Sequence, residues 1–240
     1  MNNSRFLDVL KESFSRYIET GSRSNKKLIN LHGTISADLL GKLNDANNSS
    51  DEYSIASLGF GAGKEKKING RYMEKTIDVI VNKNGMPVAG IGVKSVMRNY
   101  QQNSNNYFEN MLGETANVRC TNLPYFQIFI ISDKTPKFEE SGRIREWERI
   151  NEHNIKKYIA LSNDNDSLYF HTPNKTLIYI IKISNEEPPG YSDWKGYAAY
   201  YKNEPFSVMP SDKTFSFGKN VIYNDYEEFI KKVVYTILSL

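Results

Sequence analysis

Two short apolar runs place the strongest constraint on how this chain can fold. Tyr125–Ser132 (YFQIFIIS) and Thr176–Ile183 (TLIYIIKI) consist almost entirely of apolar side chains. A strand that is buried on both faces has this composition, because helices cover both sides of the sheet to which it belongs. The two runs therefore predict an α/β core with helices packed against the sheet.

A β-hairpin is predicted between residues 75 and 96. Lys75–Val81 (KTIDVIV) alternates and is rich in β-branched residues, and Pro87–Val96 (PVAGIGVKSV) is the second expected strand. Asn82–Gly85 (NKNG) between them contains the Asn-Gly pair typical of hairpin turns. The other predicted elements are a strand at Tyr53–Phe60 and helices at Phe6–Ile18, Ala37–Leu43 (capped by Ser36), Asn103–Val118, Glu146–Leu161 and Asp225–Leu240 (capped by Asp225). This order predicts a central mixed sheet flanked by helices.

The length of 240 residues predicts a single domain over residues 1–240. Glu186–Gly218 is rich in proline, glycine and aromatic residues, and it is expected to be irregular. The C-terminal part, residues 186–240, is a candidate subdomain for dimerisation or DNA contact.

Composition excludes several classes of protein. No apolar run reaches the roughly 18 residues of a membrane span, and Met1–Asp8 lacks the features of a secretory signal. Cys120 is the single cysteine, so neither an intrachain disulfide nor a cysteine-rich zinc site is expected, and a reducing cytoplasm is the expected location. The net charge of +3 is compatible with a polyanionic partner but does not require one.

Asp78 and Lys94 are the candidate catalytic residues of the hairpin. Each is a charged side chain within an otherwise apolar strand, where an uncompensated charge is costly. Phosphodiester hydrolysis uses carboxylates that hold Mg²⁺ and a lysine that orients water or stabilises developing charge. The alternative is a simple cross-strand salt bridge on a solvated face of the sheet.

The sequence around this pair resembles the PD-(D/E)xK superfamily, and type II restriction endonucleases in particular. The resemblance covers about residues 70–135: Asp78, then Val93-Lys94 on a glycine-bearing strand, the polar and helical run to Arg119, and the apolar strand after Leu123-Pro124. It implies a restriction-endonuclease-like core, Mg²⁺ as the cofactor, and cleavage of double-stranded DNA. It also implies a homodimer, because a two-fold protein matches a palindromic site.

The chain departs from the superfamily pattern at two positions. Ile77 replaces the proline before Asp78, and Gly92 stands where the second acid of (D/E)xK is expected. Some superfamily members carry that acid on the helix after the lysine strand. Glu109 is therefore the first candidate for the second metal ligand and Glu114 the alternative. Five helical residues separate them, about 140° of rotation, so both are not expected at one metal.

Base contacts are expected from the polar segment that follows the lysine strand. Arginine recognises guanine, and asparagine or glutamine recognises adenine, although such a segment could also be a plain polar loop. The candidates are Arg98, Asn99, Tyr100, Gln101, Gln102, Asn103, Asn105, Asn106 and, after the helix, Arg119. The basic segments Ser22–Lys27 and Lys64–Lys67 are suited to phosphate contacts.

Two other features are interpreted as non-catalytic. Gly59–Lys64 (GFGAGK) lacks the first glycine and the final Ser or Thr of a phosphate-binding loop, so no nucleotide cofactor is expected. His32, His153 and His171 show no metal-binding spacing and are expected to be surface or capping residues.

The sequence is compatible with three functions. The first is a type II restriction endonuclease, and the second is a structure-specific or repair nuclease of the same fold. The third is a non-catalytic DNA-binding module, in which Gly92 records a lost active site.

Overall fold

The computed structural model describes residues 1–185 and 191–240. Within these ranges the helices are α1 (Asn3–Thr20), α2 (Lys26–Ala46), α3 (Tyr100–Arg119), α4 (Glu152–Ser162), α5 (Trp194–Asn203) and α6 (Tyr226–Leu238). The strands are β1 (Tyr53–Ser57), β2 (Lys66–Asn69), β3 (Glu74–Ile77), β4 (Val79–Lys83), β5 (Met86–Val96), β6 (Tyr125–Ser132), β7 (Lys134–Phe138), β8 (Ile144–Arg149), β9 (Lys175–Ile183), β10 (Val208–Pro210) and β11 (Val221–Tyr223). In the described ranges, no helix is long and apolar enough to cross a membrane.

The central sheet is mixed, and the strand order is β1-β4-β5-β6-β9-β10, with β11 beside β9. β4 and β5 are antiparallel, whereas β5, β6 and β9 run parallel to one another. The expected α/β class, with a central mixed sheet flanked by helices, is confirmed at this level.

Both faces of the sheet are covered, because successive side chains of a strand point to opposite sides. Phe126, Ile128 and Ile130 of β6 join a core with α1, α2, α5 and α6. Phe129 and Ile131 join a second core with α3 and α4. Every residue of β6 is buried, as the apolar run predicts. Burial of each large apolar side chain contributes about 1.5–3 kcal/mol, so β6 is a main source of stability for the sheet.

The predicted hairpin forms, but its first strand is divided at Asp78. Residues before Asp78 belong to β3, which pairs with β2 in a separate two-stranded sheet, and residues after it belong to β4. The turn places Asn84 and Gly85 at φ of 51° and 80° and pairs Lys83 with Met86. Two successive positive φ values are those of a type I′ turn, which the Asn-Gly pair predicts.

The helices near the two ends of the chain agree only in part with the sequence patterns. α1 and α6 form where they are predicted, and the Asp225 side chain caps α6 by accepting from the Glu228 amide. The prediction for the second helix is wrong, because α2 begins at Lys26 rather than Ala37. Ser36 therefore lies inside α2 instead of capping it, and its hydroxyl lies 2.7 Å from that of Ser57.

Three other predicted segments need correction. The strand predicted at Tyr53–Phe60 ends at Ser57, and residues 146–149 continue β8 before α4 begins at Glu152. The predicted irregular segment Glu186–Gly218 includes residues 186–190, which lie outside the described residues. Its remainder includes α5, which packs on α1 through aromatic contacts such as Phe14 to Tyr201, with ring centroids 5.1 Å apart.

Candidate active site

Asp78 lies at the bend between β3 and β4, where the chain passes from the small sheet to the central one. Because Val79 pairs with Ile91, the preceding residue Asp78 comes opposite Gly92 of β5. Its carboxylate accepts a hydrogen bond from the Val93 amide at 2.6 Å. This bond fixes the carboxylate beside the strand that carries Lys94.

A cleft of about 570 Å³ opens over this part of the sheet. Asp78, Lys94 and Glu114 all line it, together with Gly92 and Gln127. The Lys94 side chain is exposed, and its ammonium group lies 5.0 Å from the centre of the Tyr107 ring of α3. The two residues singled out in the hairpin therefore share one cleft with one of the two candidate acids.

The two helical glutamates occupy different surroundings. Glu114 faces the cleft, where its carboxylate lies 2.6 Å from the Lys75 ammonium group and accepts a hydrogen bond from the Tyr125 hydroxyl. Glu109 is exposed and does not line the cleft; its charge acts instead on Lys157 of α4, where it opposes the lowering of the lysine pKa by burial. The structure thus brings Glu114, and not the first candidate Glu109, to Asp78.

The space beside Gly92 is filled by β6. A Cβ atom at this position would lie 2.7 Å from the Gln127 amide oxygen and 2.8 Å from the Tyr125 hydroxyl. The absence of a side chain at Gly92 therefore makes room for residues of β6 and not for a carboxylate from the helix. Gln127 and Tyr125 occupy that room, and the Tyr125 hydroxyl bonds to Glu114.

The electrostatics of Asp78 favour a bound cation. Burial raises its pKa to about 6, and the negative charge of Glu114 acts in the same direction. The Val93 hydrogen bond and the charges of Lys94 and Lys75 act against this rise without cancelling it. A half-buried carboxylate whose charge is incompletely compensated is stabilised by a proton or by a bound cation.

Basic side chains also line the cleft. Lys27, Lys94 and Arg98 all reach it. The pKa of Lys27 is lowered, first by burial and then by the positive charges of Arg98 and Lys94. The cleft therefore contains carboxylates together with cations that repel one another, and a bound anion would reduce this repulsion.

A second group of ligand-type side chains, which the sequence patterns missed, lies behind Asp78. His32 of α2, Glu65 before β2, and Asp78 place their ligand atoms within 4.8 Å of one another. His32 is completely buried, so its expected role as a surface or capping residue is wrong. Burial lowers the His32 pKa to about 4, and the imidazole is therefore neutral at neutral pH. His153 and His171 are exposed, as expected.

The glycine-rich stretch explains how Glu65 reaches His32. A Cβ atom on Gly33 of α2 would lie only 2.7 Å from the Gly59 carbonyl oxygen, so the loop and the helix are in direct backbone contact. Gly59 itself has a φ of +78°, which glycine adopts without strain. GFGAGK therefore packs against α2, and the chain that follows it carries Glu65 toward the helix.

The polar segment after β5 is mostly helical rather than a loop, because α3 begins at Tyr100. Tyr100 is 1% exposed and belongs to the second core, which corrects its expected contact with bases. Asn99 lies at the strand–helix junction with a φ of 50°, and its side chain accepts from the Phe138 amide at 3.1 Å instead of capping α3. Arg119 donates to the backbone carbonyls of three residues after α4, so it fixes that loop; these residues are Asp166, Tyr169 and Thr172.

The other candidates for base contact differ in accessibility. Arg98 and Asn103 line the cleft, and Gln102 and Asn106 are exposed on α3. The side-chain amide of Gln101 donates to the Arg149 carbonyl at 2.8 Å, and the side-chain oxygen of Asn105 accepts from the Lys157 ammonium group at 2.9 Å. Arg98 and Asn103, together with Asn99, are therefore the members of the segment that share the cleft with the candidate catalytic residues.

In comparisons with protein-family models, curated proteins and solved structures, the chain has no significant match.

Proposed function

We propose that this protein is a Mg²⁺-dependent endodeoxyribonuclease with a restriction-endonuclease-like core, of the type II restriction class. The single observation that carries the proposal is the convergence of Asp78, Glu114 and Lys94 on one cleft. These residues come from the bend before β4, from α3 and from β5, so the fold and not local sequence brings them together.

The donor set fits Mg²⁺. Mg²⁺ prefers hard oxygen ligands and keeps several of its waters, so two carboxylates are sufficient to hold it. Asp78 and Glu114 would be these ligands, and the raised pKa of Asp78 indicates that its charge lacks full compensation. When bound, the ion supplies charge neutralisation at the scissile phosphate and lowers the pKa of a water.

The protein side chains have separate tasks in this proposal. Asp78 is held by the Val93 amide and Glu114 by Tyr125, so both carboxylates are oriented before substrate arrives. The Lys94 ammonium group, on the strand next to Asp78, would orient the attacking water and stabilise negative charge that develops on the phosphate. Lys27 and Arg98 would contact neighbouring phosphates of the DNA backbone.

The substrate is proposed to be double-stranded DNA with a specific, palindromic site. A homodimer fits such a site because each subunit cuts one strand. Arg98 and Asn103 in the cleft, with Gln102 and Asn106 exposed nearby on α3, offer the donors and acceptors needed to contact base edges.

The proposal is tested by digesting plasmid and phage DNA with the full chain in Mg²⁺ and in EDTA. Discrete fragments are expected in Mg²⁺ alone, and Lys94→Gln should remove cleavage while the affinity for DNA persists. Lys156→Gln, an exposed lysine of α4 that does not line the cleft, is the matched control and should cut like the parent. Cleavage confined to ends, flaps or junctions would indicate a repair nuclease instead. Sequence-selective binding without cleavage in Mg²⁺ or Mn²⁺ would indicate a non-catalytic module.

A further inference from the structure

His32, Glu65 and Asp78 come from three separated parts of the chain and lie close together in the fold. Their ligand atoms lie within 4.8 Å of one another, and His32 Nδ1 lies 3.8 Å from Glu65 Oε1. Neither His32 nor Glu65 lines the cleft that contains Glu114 and Lys94. The group is therefore separate from the Asp78–Glu114 pair, although both contain Asp78.

His32 is the unusual member of this group. Its side chain is 0% exposed, and neither ring nitrogen has a hydrogen-bond partner among the described residues. A buried polar group without a partner costs about 1–3 kcal/mol, so most are paired. Here the unpartnered Nδ1 faces a carboxylate at a distance too long for a hydrogen bond, which leaves space for an atom between them.

The charges of both carboxylates in the group are also incompletely compensated. Burial and the negative charge of Asp78 both raise the pKa of Glu65, and His32 is the one group that acts in the opposite direction. A neutral imidazole offers a lone pair at one ring nitrogen, and neither nitrogen of His32 has a partner among the described residues. A divalent cation among the three side chains would neutralise the two carboxylates and give the imidazole a partner.

We propose that His32, Glu65 and Asp78 form a binding site for a divalent transition-metal ion. One nitrogen and two carboxylates match the ligands of such ions, and three protein ligands leave further positions for water. Imidazole favours transition metals over Mg²⁺, which prefers oxygen ligands. The site should therefore bind Mn²⁺ more tightly than Mg²⁺. Use of this ion in DNA cleavage rests on the proposed function, whereas the binding itself does not.

The test is a titration of the full, metal-free chain with Mn²⁺, followed by EPR, with Mg²⁺ as competitor and no DNA present. Glu65→Gln and His32→Gln should each weaken the tight Mn²⁺ site by about tenfold or more, in line with losses typical of altered metal sites. His171→Gln and Glu146→Gln are matched controls, because both side chains are exposed and distant in sequence from the site, and they should bind Mn²⁺ like the parent.

A second measurement keeps the proposal testable if His32→Gln does not fold. Pulsed EPR of Mn²⁺ on the parent protein should detect coupling to an imidazole nitrogen, and Glu65→Gln keeps the buried histidine in place. Absence of nitrogen coupling, or unchanged Mn²⁺ affinity in Glu65→Gln, overturns the site.

The outcomes also separate this site from the nuclease proposal. Tight Mn²⁺ binding that depends on Glu65, in a protein that cuts no DNA, supports the metal site and contradicts the nuclease. Conversely, Mg²⁺-dependent cleavage supports the nuclease proposal. If Mn²⁺ binding by the same protein does not depend on Glu65 or His32, the metal site is contradicted.

Discussion

The Tyr125 hydroxyl donates a hydrogen bond to the Glu114 carboxylate, in the space where a side chain at position 92 would lie. Glu114 is carried by α3 and held by Tyr125 of β6. Its carboxylate therefore lies beside β5, the strand on which the superfamily pattern expects the second acid. Burial and the negative charge of Glu114 raise the pKa of Tyr125 well above its usual value, so the hydroxyl stays protonated and can only donate to the carboxylate.

Tyr125→Phe should weaken the use of Mg²⁺ without preventing it. Phenylalanine fills nearly the same buried volume, so the loss is one hydrogen bond of about 0.5–1.5 kcal/mol and the orientation of Glu114. We expect the Mg²⁺ concentration for half-maximal cleavage to rise by about 10–100-fold, with the rate recovered at saturating Mg²⁺. A lower melting temperature with an unchanged Mg²⁺ requirement would show that Tyr125 is only structural.

Glu114→Gln and Glu109→Gln form a matched pair on one helix. Glu114 lines the cleft and contacts Lys75, whereas Glu109 is exposed on another side of α3. We expect Glu114→Gln to lower the rate of cleavage by about 100-fold or more, because removal of a group that acts in the transition state has effects of this order. Glu109→Gln should cut at the parental rate. The reverse result would indicate that Glu109, and not Glu114, is the second metal ligand.

Sequence patterns predicted those parts of the fold that depend on local physical chemistry. The apolar run of β6 requires burial on both faces, and Asn84-Gly85 requires positive φ values, so both appear where predicted. The division of the first hairpin strand at Asp78 was not predictable, because it depends on pairing with β2, which has no strong pattern of its own. The extent of α2 was underestimated because no side-chain cap marks its beginning and Gly33 lies in its first half.

The candidate site shows the same limit. Helical rotation separated Glu109 from Glu114 correctly, but only packing against β6 could indicate which one faces Asp78. His32 and Glu65 are separated in sequence by a helix, a strand and a loop, so no spacing motif connects them. Gly33 and Gly59 are the one sequence signal for the approach of the loop to α2. They can be interpreted in this way only when the loop is known to lie on α2.

Gly59→Ala should lower stability and displace Glu65. An added Cβ would meet the Ile29 carbonyl of α2, and an alanine at φ +78° is strained by about 1–3 kcal/mol. Gly63→Ala is the matched control, since Gly63 has a φ of +70° but no atom within 4 Å of an added Cβ. Chemical denaturation should show a larger loss for Gly59→Ala, and Mn²⁺ affinity should fall in this variant alone. Equal losses would mean that the loop does not depend on contact with α2.

The enclosed position of Asp78 is expected to lower the free energy of unfolding at neutral pH. Its pKa is raised from 3.8 to about 6, so the folded state holds this proton more tightly than the unfolded chain does. Stability should therefore fall as the pH rises through the window from about 4 to 6, and it should stay lower above that window. A difference of about two pH units corresponds to about 3 kcal/mol at neutral pH.

Asp78→Asn removes the charge but keeps an oxygen that can accept from the Val93 amide. In EDTA at pH 7.5 this variant should be more stable than the parent by up to about 3 kcal/mol, with little difference near pH 4, while cleavage is lost. Asp51→Asn is the control of opposite sign, because hydrogen bonds, first from Ser49 and then from Lys83 and Asn84, lower the pKa of Asp51 to about 2, and its removal should not stabilise the fold. Urea titrations at the two pH values measure both variants. Equal stability of the parent and Asp78→Asn at pH 7.5 would mean that the charge of Asp78 is already compensated without a metal.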